Sequence, residues 1–422
     1  MIPDSVRRNI VFPIACLLFL LSQFYRVSVA VITPDLIRDL TIDTCGLSLI
    51  SAAFYYAFAL MQIPISMYLD GFGPRMSMSV LSLVAVVGAV MFSLGNSLWV
   101  LVAGRIMMGI GMACSMMGTL KLITLWFNPR RFATLSALVF SLGGIGNLIA
   151  STPLVLMVQA VGWRNAFLII AGINLILTVL FYLIARDRPE SSVNRNIPKA
   201  ASTRIREIRI HLRRLFGEKD YWIISLGTFC RYGIYAAVQS LWAAPFLINV
   251  IGLSVVSTGN MLLLMSIGMV VGSPVFGWLS DSVLRNRKSV IVSGLLVMSG
   301  ILALMTRLSE GVGMPVLSVL FFGFGFFSSA GGIMYAHIKE RMPVERAGTA
   351  MTGINFFTMF GVAVFLQGLG SMMQFFHPDA SLGISAFSDT FLLCAVCLLI
   401  TAVCYCFSLE TLRPMGRSEK AP

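Results

Sequence analysis

The chain has 422 residues, of which 57% are hydrophobic and only 12% charged, and its mean hydropathy is +0.87. A soluble domain carries about 25% charged residues to cover its core, so these proportions exclude an ordinary soluble fold and leave lipid as the solvent. The net charge of +13 sits in short segments between apolar runs, which suits lipid headgroups and chain orientation rather than nucleic acid.

The apolar runs are about 20 residues long, enough for helices through roughly 30 Å of hydrocarbon, and lack the alternation of barrel strands. In chain order they predict spans at 11–33, 46–69, 76–96, 98–126, 133–158 and 165–185, then at 222–249, 257–280, 289–307, 313–338, 347–373 and 384–408. The start is basic and then apolar without a small-residue cleavage site, so it reads as a retained first helix. Between the sets lies 186–220, the longest polar stretch, with ten Lys/Arg and five Asp/Glu. Its part 203–216 is either an amphipathic helix on the membrane surface or a solvated linker. The division is therefore an N-terminal bundle (1–185), a linker (186–220) and a C-terminal bundle (221–422). Of the 31 Lys/Arg, 24 fall on the side of the termini, three (Arg38, Arg164, Arg307) on the opposite side and four inside spans. That asymmetry puts both termini and the linker in the cytoplasm, with the chain in the plasma (inner) membrane.

Seven of the eight cysteines lie within apolar runs and only Cys45 in a loop, which is no disulfide framework. Cys394-x-x-Cys397 has no His or acid beside it, so no metal site is expected. The halves repeat. Pro34 and Asp70 recur as Pro245 and Asp281 at an offset of 211, and Gly109-x-Gly111 recurs as Gly323-x-Gly325 at 214. Duplicated halves with a site at their interface are a common carrier design.

The loop after span 2 reads Asp70-Gly-Phe-Gly73-Pro-Arg75, and Gly277-Trp-Leu-Ser-Asp281 followed by Arg285, Arg287 and Lys288 is its degenerate second copy. Span 4 carries Arg105-x-x-x-Gly109-x-Gly111, and Gly162-Trp163-Arg164 precedes span 6. In this order on a duplicated frame, the chain resembles the major facilitator superfamily over nearly its whole length. Residues 24–75 and the stretch from Trp126 to Arg164 are most similar to its anion:cation symporter branch. The resemblance implies an all-α membrane protein with twelve transmembrane helices in two pseudo-symmetric six-helix bundles. It implies a secondary transporter, not an enzyme, with spans 1, 4, 7 and 10 around a central cavity. Arg26 falls at the branch's substrate-linked arginine. Tyr25 and Met112 stand where that branch has acids, which points to exchange or Na+ rather than H+ coupling. Asp70, Gly73, Arg75 and Arg105, with Asp281 and Arg285, form the gating set. An acid and a base five residues apart across a tight turn can lock one packing of the helices.

All 18 acids fall at span ends or in loops, whereas Arg26, Arg105, Lys121 and Arg231 fall inside spans. Each cation near the bilayer centre costs about 2.5–3.5 kcal/mol unless relieved. Water, backbone carbonyls or an anionic ligand must relieve them, and their placement on spans 1, 4 and 7 favours a small organic anion, such as a carboxylate. Snorkelling of Lys121 is the plainer reading for that residue. Tyr25, Gln62, Asn147, Tyr235, Gln239, Trp242 and Asn355 complete the expected binding set. Arg231, Tyr235, Gln239 and Trp242 recur at helical spacing as one stripe. His337 reads as an interfacial histidine or a proton relay. A multidrug or metabolite exporter, and a non-transporting receptor or assembly factor, are the rival readings. No cofactor or nucleic-acid partner is expected, and the expected setting is a monomer among lipids.

Overall fold

A computed structural model of the chain describes residues 4–128, 131–187, 215–342 and 344–411, and the regular elements among them are all helical. Span 1 is α1 (Asp4–Val27) continued by α2 (Val29–Leu40). It runs seven residues past the expected end and stops where Thr41 turns left-handed at φ 48°. Next come α3 (Thr44–Gly71) and α4 (Gly73–Leu94). Span 4 is α5 (Leu98–Met112) with α6 (Ser115–Trp126), and span 5 is α7 (Phe132–Ile149) with α8 (Thr152–Val161), followed by α9 (Trp163–Ile184).

The second set opens with α10 (Lys219–Ala237), which continues through a π-helical turn at Val238–Trp242. Then follow α11 (Val255–Trp278), α12 (Arg287–Met305) and α13 (Met314–Ser328). A 3₁₀ turn (Ser329–Gly332) joins α13 to α14 (Ile333–Arg341), and α15 (Val344–Phe376) and α16 (Ile384–Tyr405) complete the chain. Among the described residues eleven helices are long and apolar enough to cross a membrane, or twelve with the α7–α8 pair, bent by 45°. Most of the linker, including most of 203–216, lies outside the described residues.

Without water to squeeze out, helices in lipid associate by close packing of small residues. A Cβ on Gly88 would meet the Gly104 carbonyl of α5 at 2.7 Å, and one on Gly104 would meet the Gly88 carbonyl at 2.8 Å. Gly146 lets α7 touch the Leu20 carbonyl of α1, and Gly268 and Gly325 bring α11 and α13 together against the Phe322 and Met265 carbonyls. The same arrangement joins the two six-helix bundles, where α3 lies along α15. Thr44 and Ser381 share a 2.6 Å hydrogen bond at the face away from the termini, called here the far face. Below it Gly370 abuts Ser48 and the Trp242 ring, Tyr56 packs edge-on against Phe360, and Gln62 meets Asn355. The α2 helix also packs on the Val238–Trp242 turn, and Thr152 bonds Asn260 at 2.8 Å.

A methyl at Gly325 has no room beside the Met265 carbonyl, whereas Gly300 has nothing within 4 Å of its would-be Cβ. Gly325→Ala should cost about 1–3 kcal/mol and lower the thermal midpoint of the purified protein by several degrees. Gly300→Ala should leave it unchanged. Equal midpoints would contradict glycine-limited packing.

Candidate functional site

Three of the four interior cations are answered by backbone carbonyls. Arg105 has no exposed surface; its Nη1 donates to the Tyr25 carbonyl at 2.6 Å, its Nε to the Ile50 carbonyl at 3.3 Å, and its guanidinium lies 4.7 Å from the Phe54 ring. It therefore joins spans 1, 2 and 4, and Tyr25 serves as scaffold through its carbonyl. The Lys121 ammonium donates to the Leu69 carbonyl, at the last turn of α3, where the helix dipole favours a cation. A cation drawn to that end of α3 is what snorkelling toward the face of the termini predicts. Arg231 is 3% exposed, donates from Nη1 to the Ser328 carbonyl at 3.0 Å and lies over Tyr232.

Arg26 differs. It is 7% exposed, its guanidinium stacks 4.3 Å above the Phe58 ring, and among the described residues its side chain makes no hydrogen bond or ion pair. Its own backbone carbonyl is held by the Tyr55 hydroxyl at 3.3 Å. One turn on from Phe58, Gln62 projects on the same face of α3, and its carbonyl accepts from the Asn355 amide at 2.9 Å. The Asn355 carbonyl in turn accepts from the Tyr335 hydroxyl at 3.3 Å, and Tyr335 shares a 3.1 Å hydrogen bond with Thr358. Sequence reasoning missed Phe58 and Tyr335. The first shows only as the residue one turn before Gln62, and the second is one aromatic among many.

On span 7 a π-helical turn at Val238–Trp242 lies within the expected stripe. A π-helical turn closes i→i+5 bonds, so positions after Ala237 rotate off the 3.6-residue register. Gln239 turns to span 8, donating to the Ser266 hydroxyl at 2.8 Å, and Trp242 packs against Gly370 with its buried Nε1 unbonded. Tyr235 is fully buried against Tyr232 and Phe324. Asn147 is half-buried on α7 with no described hydrogen bond.

At the face of the termini, Gly73 (φ 74°) makes the tight turn and Arg75 follows it. The Arg75 backbone N–H donates to Asp187 at 2.8 Å, its Nε to the Tyr182 carbonyl at 2.9 Å, and it stacks on Tyr182. The described partners of Arg75 thus lie at the end of span 6 rather than at Asp70, whose side chain lies outside the described residues. In the second half Asp281 pairs with Arg287, which also reaches Glu340 at 2.8 Å. Arg285, the base expected there, is an exposed residue in a left-handed turn at φ 46°. The turn aims it outward, and the next helix presents Arg287 instead. His337 is buried between the Tyr405 hydroxyl and the Leu409 carbonyl, both at 2.8 Å. Its Nε2–H donates to the carbonyl and Nδ1 accepts from the phenol, so it ties α14 to the end of α16.

At the far face Trp163 Nε1 donates to Asp39 at 2.9 Å and Arg164 reaches the same carboxylate at 3.1 Å. Arg38 pairs with Asp35 and Asp39. These groups line a cavity of about 550 Å³ between α2, α8 and the starts of α9 and α11.

A model of the Major Facilitator Superfamily matches residues 14–366. The chain is 26% identical over 418 residues to a probable sulfoacetate transporter of Cupriavidus necator, covering 91% of this chain and 94% of that one. It is 22% identical over 374 residues to a D-galactonate transporter of Escherichia coli (82% and 83%) and 22% identical over 375 residues to a probable galactarate/D-glucarate transporter of Bacillus subtilis (82% and 80%). Among solved structures it is similar to a bacterial homolog of the human lysosomal transporter Spinster, in an inward-facing, unoccupied conformation, at 17% identity. That match has a TM-score of 0.75 and covers 94% of this chain and 96% of the other. A D-xylose–proton symporter gives a TM-score of 0.69 at 17% identity over 92% and 96%.

The hydrogen bond from Trp163 holds the Asp39 carboxyl below its ordinary value of 3.8, with Arg38 and Arg164 adding to the effect. A lowered carboxylate supplies its stabilisation in full above the ordinary value and loses it as pH falls through the lowered one. Asp39→Asn should therefore lower the thermal midpoint at neutral pH. It should also make the midpoint change less than in the wild type as the buffer is taken below about pH 4. Parallel pH profiles would show the contact to be idle.

Proposed function

The chain belongs to the Major Facilitator Superfamily and is an integral membrane transporter, and from that premise we propose that it carries a small organic anion whose acid group binds Arg26. The observation carrying this reading is a buried guanidinium without a protein acceptor, in an interior where the other cations are held by carbonyls. Further buried donors lack acceptors: Arg105 Nη2, Arg231 Nε and Trp242 Nε1. A buried guanidinium without an acceptor favours a solute that supplies one, and disfavours lipophilic cations. The relatives named for sulfoacetate, galactonate and galactarate/glucarate agree with an acid as cargo.

The mechanism proposed is alternating access, with residues 1–185 and 221–422 as the two rocking units and 186–220 as their linker. The contacts at Thr44–Ser381, Ser48–Gly370 and Thr152–Asn260 would seal the far face in this state. The 24 to three distribution of Lys/Arg supports both termini being cytoplasmic, in the plasma (inner) membrane. With the acids at span ends or in loops rather than beside the interior cations, exchange or Na+ coupling fits the chain better than a proton carried on an interior carboxylate.

Reconstituted protein should take up at least one of sulfoacetate, D-galactonate and galactarate into liposomes, saturably and with mutual competition. Arg26→Gln should lower kcat/KM for that anion by at least 100-fold, about 2.7 kcal/mol, and Arg26→Lys by less, with the thermal midpoint within a few degrees of wild type. Uptake unaffected by Arg26→Gln would refute the assignment.

A further inference from the structure

An arginine offers two kinds of surface. Its flat faces stack on aromatic rings, and its N–H edges hold acids through paired hydrogen bonds. The three interior arginines use them differently. Arg105 lies 4.7 Å from the Phe54 ring and commits N–H groups to the Tyr25 and Ile50 carbonyls. Arg231 lies against Gly331, 5.3 Å from the Tyr232 ring, and gives Nη1 to the Ser328 carbonyl. Arg26 has the closest ring of the three, Phe58 at 4.3 Å, and its side chain makes no hydrogen bond among the described residues.

The ring and the backbone around Arg26 are both fixed. Phe58 is buried and stacks with Phe54, one turn earlier on α3, at 6.0 Å between centroids and 19° between planes. The Tyr55 hydroxyl donates to the Arg26 carbonyl at 3.3 Å, and Arg105 Nη1 holds the Tyr25 carbonyl at 2.6 Å. One turn past Phe58, the Gln62 carbonyl is already engaged by the Asn355 amide. We propose that Phe58 is the positioning residue of the anion site: its ring carries the Arg26 guanidinium by one face and leaves the N–H edges to the solute. The proposal rests on the anion-carrier reading above. A side chain that held Arg26 by hydrogen bonds would occupy the donors that an acid group needs, whereas a ring occupies none. The stack is stronger for a cation withdrawn from water than for an exposed one. A long side chain held before binding also loses less freedom when the anion arrives. Phe58 thus acts through Arg26 and not on the solute.

Ring fluorines draw electron density from the aromatic face while nearly preserving its shape, so they separate this role from packing. Full-length protein carrying one, two or three ring fluorines on Phe58 is reconstituted beside wild type, Phe58→Leu, Phe58→Tyr and Arg26→Gln, and uptake of sulfoacetate, D-galactonate and galactarate is measured. For the anion that wild type carries, KM should rise with each fluorine, to about tenfold at three. The kcat should stay within about twofold of wild type, the pattern of a lost binding contribution, and the thermal midpoint within a few degrees. Phe58→Leu should raise KM at least as far, and Phe58→Tyr, which keeps the ring, should return it to within about threefold of wild type. A KM that stays flat or falls along the fluorine series would overturn the role of Phe58. So would a Phe58→Leu protein that loses midpoint and kcat together while the fluorinated proteins match wild type, which marks a packing residue. In either case loss of uptake in Arg26→Gln leaves the carrier reading standing. If Arg26→Gln transports like wild type, or wild type carries none of the three anions, that reading falls and the role of Phe58 falls with it.

Discussion

A cation inside a bilayer must be answered, and in this chain acids do not do it. Arg105, Lys121 and Arg231 each donate to a backbone carbonyl: Arg105 to Tyr25 and Ile50, Lys121 to Leu69, Arg231 to Ser328. Such carbonyls become available where a helix breaks or ends. The Tyr25 carbonyl lies beside the α1–α2 break, Leu69 at the end of α3, and Ser328 where α13 passes into a 3₁₀ turn. Irregular backbone at membrane depth is tolerated only where something inside the protein uses it. Apart from Ile50, which lies within α3, the carbonyls that answer the cations sit at such breaks, and Arg26 stands out because its side chain lacks one.

Helix packing determines where these partners fall. Glycines at the α4–α5, α1–α7 and α11–α13 contacts bring backbones close enough to hold arginines between spans rather than at the lipid surface. The α3–α15 seam crosses between the two bundles and carries both the far-face contacts and the Gln62–Asn355 hydrogen bond. The uncharged network is therefore made by both bundles together. A ligand held between Arg26 on span 1 and Asn355 on span 11 would touch both units, which is what coupling of binding to rocking requires.

Much of this was legible in the sequence. Twelve spans, their pairing into two sets and the family followed from run length, the 211-residue offset and the Asp70–Arg75 and Arg105–Gly111 motifs. Arg26, Gln62 and Asn355 could be named from polarity inside apolar runs. What could not be read is what backbone geometry decides. The π-helical turn at Val238–Trp242 is one such feature, and within it Gln239 donates to Ser266 and Trp242 packs on Gly370, partners that their spacing does not name. The left-handed Arg285 hands its expected role to Arg287. Carbonyl partners are invisible in a sequence because every residue has one, so neither Lys121 on Leu69 nor Arg231 against Gly331 leaves a signal.

The central claim is that one buried guanidinium, on Arg26, is reserved for the solute. A structure of the protein with the anion that most raises its thermal midpoint tests this directly. The acid group should lie within about 3 Å of the Arg26 nitrogens, with Arg105 and Arg231 still on their carbonyls. An acid group seated on Arg231 or in the far-face cavity, or Arg26 paired with a carboxylate of the protein, would contradict it.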